Sequence, residues 1–229
     1  MAYTYLIINL ACISIPLLAS FYPRHAFIKE WKYFLPANIL VAIGFLIWDA
    51  IFTHLGVWGF NPNYLIGINI FNLPLEEVLF FIAIPYACVF TYFALRYLIK
   101  KNPLDQYQGL ITISLAIIFI LSGIGFWGKL YTSITVLLAG MYLLILFYKK
   151  RNLADVYLSY LVIIPFFFIS NGILTGLFLE SPIVWYNNAE NLGIRMFTIP
   201  IEDSVYGFVL ILMNIDLYEW IKRMYHDWK

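Results

Sequence analysis

The chain has 229 residues, of which 63% are hydrophobic and 12% charged, against roughly 45–50% and about 25% in ordinary globular domains. The excess lies in long uncharged runs, which excludes a water-soluble domain and makes lipid the solvent. A net charge of +1 excludes the basic field that nucleic-acid binding needs, and the two cysteines, Cys12 and Cys88, offer neither a disulfide framework nor metal spacing.

The first apolar run, 3–22, has no basic residue at its start, and its first charge, Arg24, comes after it. A cleaved signal has the reverse order, so this segment is expected to stay as a helix that enters with its N-terminus outside. Further runs follow at 34–53, 75–98, 108–126, 131–148, 157–179 and 197–220. Each is close to the ~20 residues a helix needs to cross the hydrocarbon, and in lipid the helix satisfies its own backbone. The expected fold is all-α and polytopic, with about seven transmembrane helices.

Lys and Arg alternate between the connections. Arg24, Lys29 and Lys32 follow the first run, Lys100 and Lys101 the third, Lys149, Lys150 and Arg151 the fifth, and Lys222, Arg223 and Lys229 the last. The other connections hold only Lys129 and Arg195. Positive charge favours the cytoplasm, which places the C-terminus there in the cell membrane. Trp31, Trp58, Trp127, Trp185, Trp220 and Trp228 fall near predicted span ends, as interfacial aromatics do. The three histidines, His25, His54 and His226, are scattered rather than clustered as a di-iron enzyme would need.

The most informative feature is an internal repeat. Residues 57–77 read VWGFNPNYLIGINIFNLPLEE and residues 184–203 read VWYNNAENLGIRMFTIPIED. With one single-residue gap, Trp58 pairs with Trp185, Gly67 with Gly193, Pro74 with Pro200, Glu76 with Glu202, and Glu77 with Asp203. Two parallel three-helix units at 1–100 and 131–229, joined by a connecting span at 101–130, are the simplest organisation.

Pro74 and Pro200 suit a first helical turn, and acids there favour the positive end of the helix dipole, so each copy alone reads as a helix start. Two copies flanked by unbroken apolar sequence favour function, since a carboxylate within a span costs about 2.5–3.5 kcal/mol on insertion scales and usually faces an interior site. Paired carboxyls in apolar surroundings suit proton transfer, with a neutral acid beside an ionised base. Asp49, beside Trp48 near the end of the second run, is a further candidate, as is Asn171 in the sixth. Both also fit plain roles, an interfacial acid and a helix–helix contact. Aromatics make up 20% of the chain, and some ring faces could stabilise a cation.

WDAIFTHLGVWGFNPNY at 48–64, LPLEEVLFF at 73–81 and TIPIEDSVYGF at 198–208 resemble the heterodimer-type lycopene β-cyclases, in the form with both subunits fused. The same domain fronts the fungal bifunctional cyclase/phytoene synthases, and the likeness covers essentially the whole chain. It implies a redox-neutral cyclisation that needs no cofactor and no metal. A carboxylic acid protonates the terminal double bond of a ψ-end of lycopene, the cation closes onto the chain, and a base removes a ring proton to leave a β-ionone ring. Glu76, Glu77, Glu202 and Asp203 are the implied acid and base candidates, one Glu of the first motif being the expected donor, with Asp49, Trp48, Trp58, Asn171 and Trp185 as supporting residues. The implied partner is the lipid-embedded carotenoid, with room for contact with neighbouring pathway enzymes. The second copy loses the Gly-Phe-Asn-Pro turn of the first.

Competing readings fare worse. Gly123 to Gly128 matches G-x-G-x-x-G, but it ends a span and follows no soluble strand. No lysine lies between 197 and 221 for a retinal Schiff base, and no D-x-x-x-D stands ready to hold Mg²⁺ and pyrophosphate. The non-enzyme alternative is a small transporter or scaffold made of two parallel three-helix units.

Overall fold

A computed structural model of the protein describes residues 3–227. Trp228 and Lys229, expected at the interface and in the basic tail, lie outside the described residues. Seven helices are present: α1 (Thr4–Ala19), α2 (Trp31–His54), α3 (Leu75–Leu98), α4 (Gln108–Gly125), α5 (Leu130–Tyr148), α6 (Ala154–Leu174) and α7 (Ile201–Asp227). All but α1 are long and apolar enough to cross a membrane. With 16 residues, α1 rises about 24 Å, short of the ~30 Å hydrocarbon core. The predicted first span, 3–22, therefore runs too long. The chain turns at Ser20, whose hydroxyl bonds the Pro16 carbonyl at 2.7 Å, and enters a 3₁₀ turn at Pro23–His25. The sixth predicted span also ends early, where Gly176 takes a φ of 109° that breaks the helix. The seventh begins late because 195–200 is spent on a hairpin.

Three small antiparallel pairs gather at one end of the bundle. β1 (Trp58–Phe60) pairs with β4 (Val184–Tyr186), β2 (Asn69–Ile70) with β3 (Leu73–Pro74), and β5 (Arg195–Met196) with β6 (Ile199–Pro200). The last two are copies of one device. In each, a glycine with positive φ (Gly67 at 85°, Gly193 at 70°) precedes a two-residue turn whose phenylalanine is also left-handed (Phe71 at 56°, Phe197 at 57°). Each strand pair then leads directly into a helix, α3 or α7, whose first amide bonds back to the loop, Leu75 to the Ile68 carbonyl and Ile201 to the Ile194 carbonyl.

The helices exchange partners between repeats. Within the repeats α1 packs on α3 and α5 on α7, while α2 crosses to α7 and α6 crosses to α3. β1 and β4 join the two halves in the same way. Their register sets Gly59 opposite Trp185 and Trp58 opposite Tyr186. This corrects the pairing of Trp58 with Trp185. Trp185 occupies the position equivalent to Gly59, and no gap is needed between the repeats. Its indole fills the space that Gly59 leaves, since a Cβ there would lie 2.4 Å from the Trp185 ring.

The opposite end is tied by ion pairs, Arg96 with Glu219 and Asp155, Arg151 with Asp216, and Lys222 with Glu30. These bring the ends of α3 and α7 together with the chain around Arg151, and the further lysines there, Lys100, Lys101, Lys149 and Lys150, make this the more basic end of the bundle. The connecting helix α4 lies against α5, close enough that a Cβ on Gly140 would fall 2.7 Å from Ile120 Cγ1 and 2.9 Å from the Ala116 carbonyl oxygen. Gly140→Ala is expected to destabilise the protein by about 1–3 kcal/mol through overpacking, measured as a lowered unfolding midpoint in detergent.

Candidate active site

The two hairpins deliver adjacent acids to the first turns of α3 and α7, and adjacency on a helix separates them. Successive side chains leave about 100° apart, so one acid of each pair faces the loop and the other the bundle interior. Glu76 Oε1 accepts the Ile66 amide at 2.6 Å, and the Glu76 carbonyl accepts Asn9 Nδ2 at 2.7 Å. Glu202 repeats this role: its Oε1 accepts the Leu192 amide at 2.8 Å and the Thr132 hydroxyl at 2.6 Å. The first acid of each motif lashes the incoming loop to its helix.

The second acids point inward. Glu77 accepts a hydrogen bond from the Tyr5 hydroxyl on α1. Asp203 Oδ1 accepts the Tyr131 hydroxyl on α5 at 2.6 Å, and Oδ2 accepts Asn171 Nδ2 and the Tyr186 hydroxyl, both at 2.9 Å. Tyr5 and Tyr131 stand at equivalent positions of the two repeats. Outside the spans, burial pushes the Tyr186 phenol well above its ordinary range, with the neighbouring Asp203 carboxylate adding to it, so Tyr186 serves as a donor.

Asp49, near the end of α2, completes the set. Its Oδ1 accepts from the Trp58 indole and from Thr53 Oγ1, the latter at 3.3 Å. Its Oδ2 is buried and receives no hydrogen bond, and the neighbouring Glu77 carboxyl, which lines the same cavity, is near enough to interact with it electrostatically. Carboxylate oxygens only accept, so a bond between these two would need a proton on one of them.

These acids stand at the head of an elongated cavity of about 550 Å³. β1 and β4 form its roof. Side chains alternate across a strand, so Trp58, Phe60, Val184 and Tyr186 face inward while Trp185 faces out. From Glu77 the cavity follows α3 past Phe80, Ile84 and Cys88 to Thr91, a rise of about 21 Å at 1.5 Å per residue. Among the described residues no Lys, Arg or His lines it. The aromatic rings crowd the head: Trp58 lies 5.0 Å from Tyr131 and 6.1 Å from Tyr206, and Tyr131 stacks on Tyr186 at 5.9 Å. Among the described residues no group of three or more His, Cys, Asp or Glu side chains is placed to hold a metal ion.

Of the residues singled out from sequence, Glu77, Asp203, Asp49, Asn171 and Trp58 meet in this chamber. Trp58 is buried in the roof rather than at the interface. Glu76 and Glu202, in the first turns of α3 and α7, turn to the loops instead. Trp48 lies behind Tyr206, with ring centroids 4.9 Å apart, and Trp185 is on the outer face of the roof. Sequence reasoning missed Tyr5, Tyr131, Tyr186 and Tyr206. Extending the repeat back to its first helix would have exposed the first two.

A family model described as lycopene cyclase matches the chain twice, over residues 2–95 and again over 128–221. No curated protein and no solved structure gives a match.

Proposed function

From the lycopene cyclase family, to which this chain belongs, we propose a reaction that closes the linear ψ-ends of lycopene into β-ionone rings without change of redox state. The observation that carries this reading is the meeting of inward acids from both repeats, Glu77 and Asp203, with Asp49 at the head of one long apolar cavity.

In this reading the Asp49–Glu77 pair shares a proton, because two neighbouring carboxyls in apolar surroundings resist ionising together. Glu77 delivers that proton to the terminal double bond. The π electrons of the internal double bond form the ring C–C bond and leave a ring cation. Asp203, whose oxygens accept three hydrogen bonds, removes a ring proton, and the C–H electrons become the ring double bond. One proton enters and one leaves. The ring faces of Trp58 and Tyr206 stabilise the passing cation, and the β1–β4 roof keeps out water that would capture it. Glu76 and Glu202 act as positioning residues that hold α3 and α7 at the required rotation.

The repeats correspond to residues 1–100 and 131–229, with 101–130 connecting them, and they build one site jointly. Basic residues favour the cytoplasm, which sets the positive end inside and the N-terminus and hairpin end outside. An impermeant thiol reagent applied to intact cells is expected to label cysteines introduced in loops 54–74 and 180–196, and to leave those at 100–107 unlabelled.

Expression in lycopene-accumulating bacteria tests the reaction. A change from red to yellow-orange with a cyclic product is expected. Unchanged lycopene, with the chain verified in the membrane, would count against cyclisation and for a carrier.

A further inference from the structure

The chamber is closed toward the hairpin end and open at its flank. α1 and α6 run alongside it in opposite directions. Near the roof Ile8 and Leu174 seal the seam between them, packed in one cluster with Tyr5, Tyr64, Ile183 and Val184. Further along, Cys12, Ile15 and Pro16 of α1 and Phe166, Ile169 and Ser170 of α6 still line the cavity. Yet Ile15 is 75% exposed, Phe166 68% and Ile169 62%. Side chains that both line a cavity and lie on the outer surface mark where the cavity reaches that surface. Here the surface is the apolar flank of the bundle, which meets acyl chains and not water.

Resting on the cyclase reading, we propose that the gap between α1 and α6 is the entrance by which the polyene passes from the bilayer into the chamber, end first. The leading end reaches Glu77 and Asp203 under the roof. The following part lies along α3, and the remainder trails through the gap among the lipids. The chamber has a blind head, so a chain with two linear ends withdraws between its two cyclisations. An apolar ligand already dissolved in the bilayer needs no aqueous path, which agrees with a cavity lining that, among the described residues, carries no basic side chain.

Cys12 of α1 and Ser170 of α6 line the cavity on the two sides of this gap and supply the test. Ser170→Cys permits a disulfide to Cys12 that bolts α1 to α6. In liposomes carrying lycopene, the oxidised variant, its link verified by peptide mass, is expected to convert less than a tenth of what the same sample converts after reduction. Equal conversion by the linked and reduced samples would overturn the entrance. Failure of both the reduced variant and the unmodified chain to convert lycopene would overturn the cyclase reading, and the entrance with it. Ile169→Trp narrows the gap without a cross-link. It is expected to slow conversion several-fold, and an undiminished rate would contradict the proposal. With lycopene in excess, the product with one ring is expected to appear free in the bilayer before any product with two; two rings from the first turnover would contradict one end per visit.

Discussion

Glu77→Gln is expected to reduce the rate of ring formation by about 10²–10⁴-fold, the usual worth of a positioned general acid, or about 3–5 kcal/mol of barrier. Glutamine keeps the shape of the side chain and can still accept from Tyr5 and bond Asp49, so the variant is expected to fold and insert normally. What it loses is a proton that can be handed to carbon. Single-turnover conversion of lycopene in liposomes, against equal amounts of membrane-inserted protein, measures the effect. Glu76→Gln supplies the contrast. Its amide oxygen can still accept from the Ile66 amide, so its rate is expected to stay within about tenfold of the unaltered chain. Similar losses in the two variants would remove the distinction between inward and loop-facing acids.

Asp203→Asn is expected to change which product forms as well as how fast. Asn171, Tyr131 and Tyr186 all point donors at this side chain, an arrangement suited to a carboxylate that accepts a proton. Without the base, protonation and ring closure still have their acid, but the ring cation lacks its acceptor. The total rate is expected to fall by about 10²–10⁴-fold, and the residual product to contain ring isomers or water adducts. Chromatography with mass detection separates these outcomes. A residual product of pure β-rings at a nearly normal rate would assign the base elsewhere.

Much of this was legible in the sequence because the bilayer writes strong rules. Span lengths are set by membrane thickness, so the starts of α3, α4 and α5 fall within a residue of their predicted places. Charges are costly in lipid, so Glu76, Glu77, Glu202 and Asp203 stood out, as did Asp49. Less legible was the rotation that decides between adjacent acids. It is set by hairpins of only two-residue strands, whose left-handed Phe71 and Phe197 no pattern rule expects. The partner of Glu77 was also misplaced in sequence terms. The carboxyl nearest it in electrostatic effect is Asp49 on another helix, since the neighbouring Glu76 turns to its loop. Tyr5, Tyr131, Tyr186 and Tyr206 hid among eighteen tyrosines, because a hydroxyl aimed at an acid and a ring facing lipid look alike in a string. Trp185 misled for a simple reason. Matching identical residues favours Trp58, whereas antiparallel register favours the small residue, Gly59, against which a large ring can pack.

The chamber also explains why a duplicated chain need not have two sites. Each repeat supplies one inward acid and one tyrosine to hold it, and the crossing of α2 onto α7 and α6 onto α3 brings both sets under a common roof. On the proposed reading, divergence of the second motif, Asp for Glu and Trp-Tyr-Asn-Asn for Gly-Phe-Asn-Pro, fits two different tasks at one centre.

That joint ownership is most directly tested by comparing Glu77→Gln, Asp203→Asn and the double variant in one single-turnover assay. Groups that act as a unit are strongly non-additive, so the account predicts that either substitution alone removes nearly all activity and that the double variant is scarcely slower than the slower single. If either single variant keeps about half of the normal rate and only the double is inactive, each repeat has its own centre and the account is wrong.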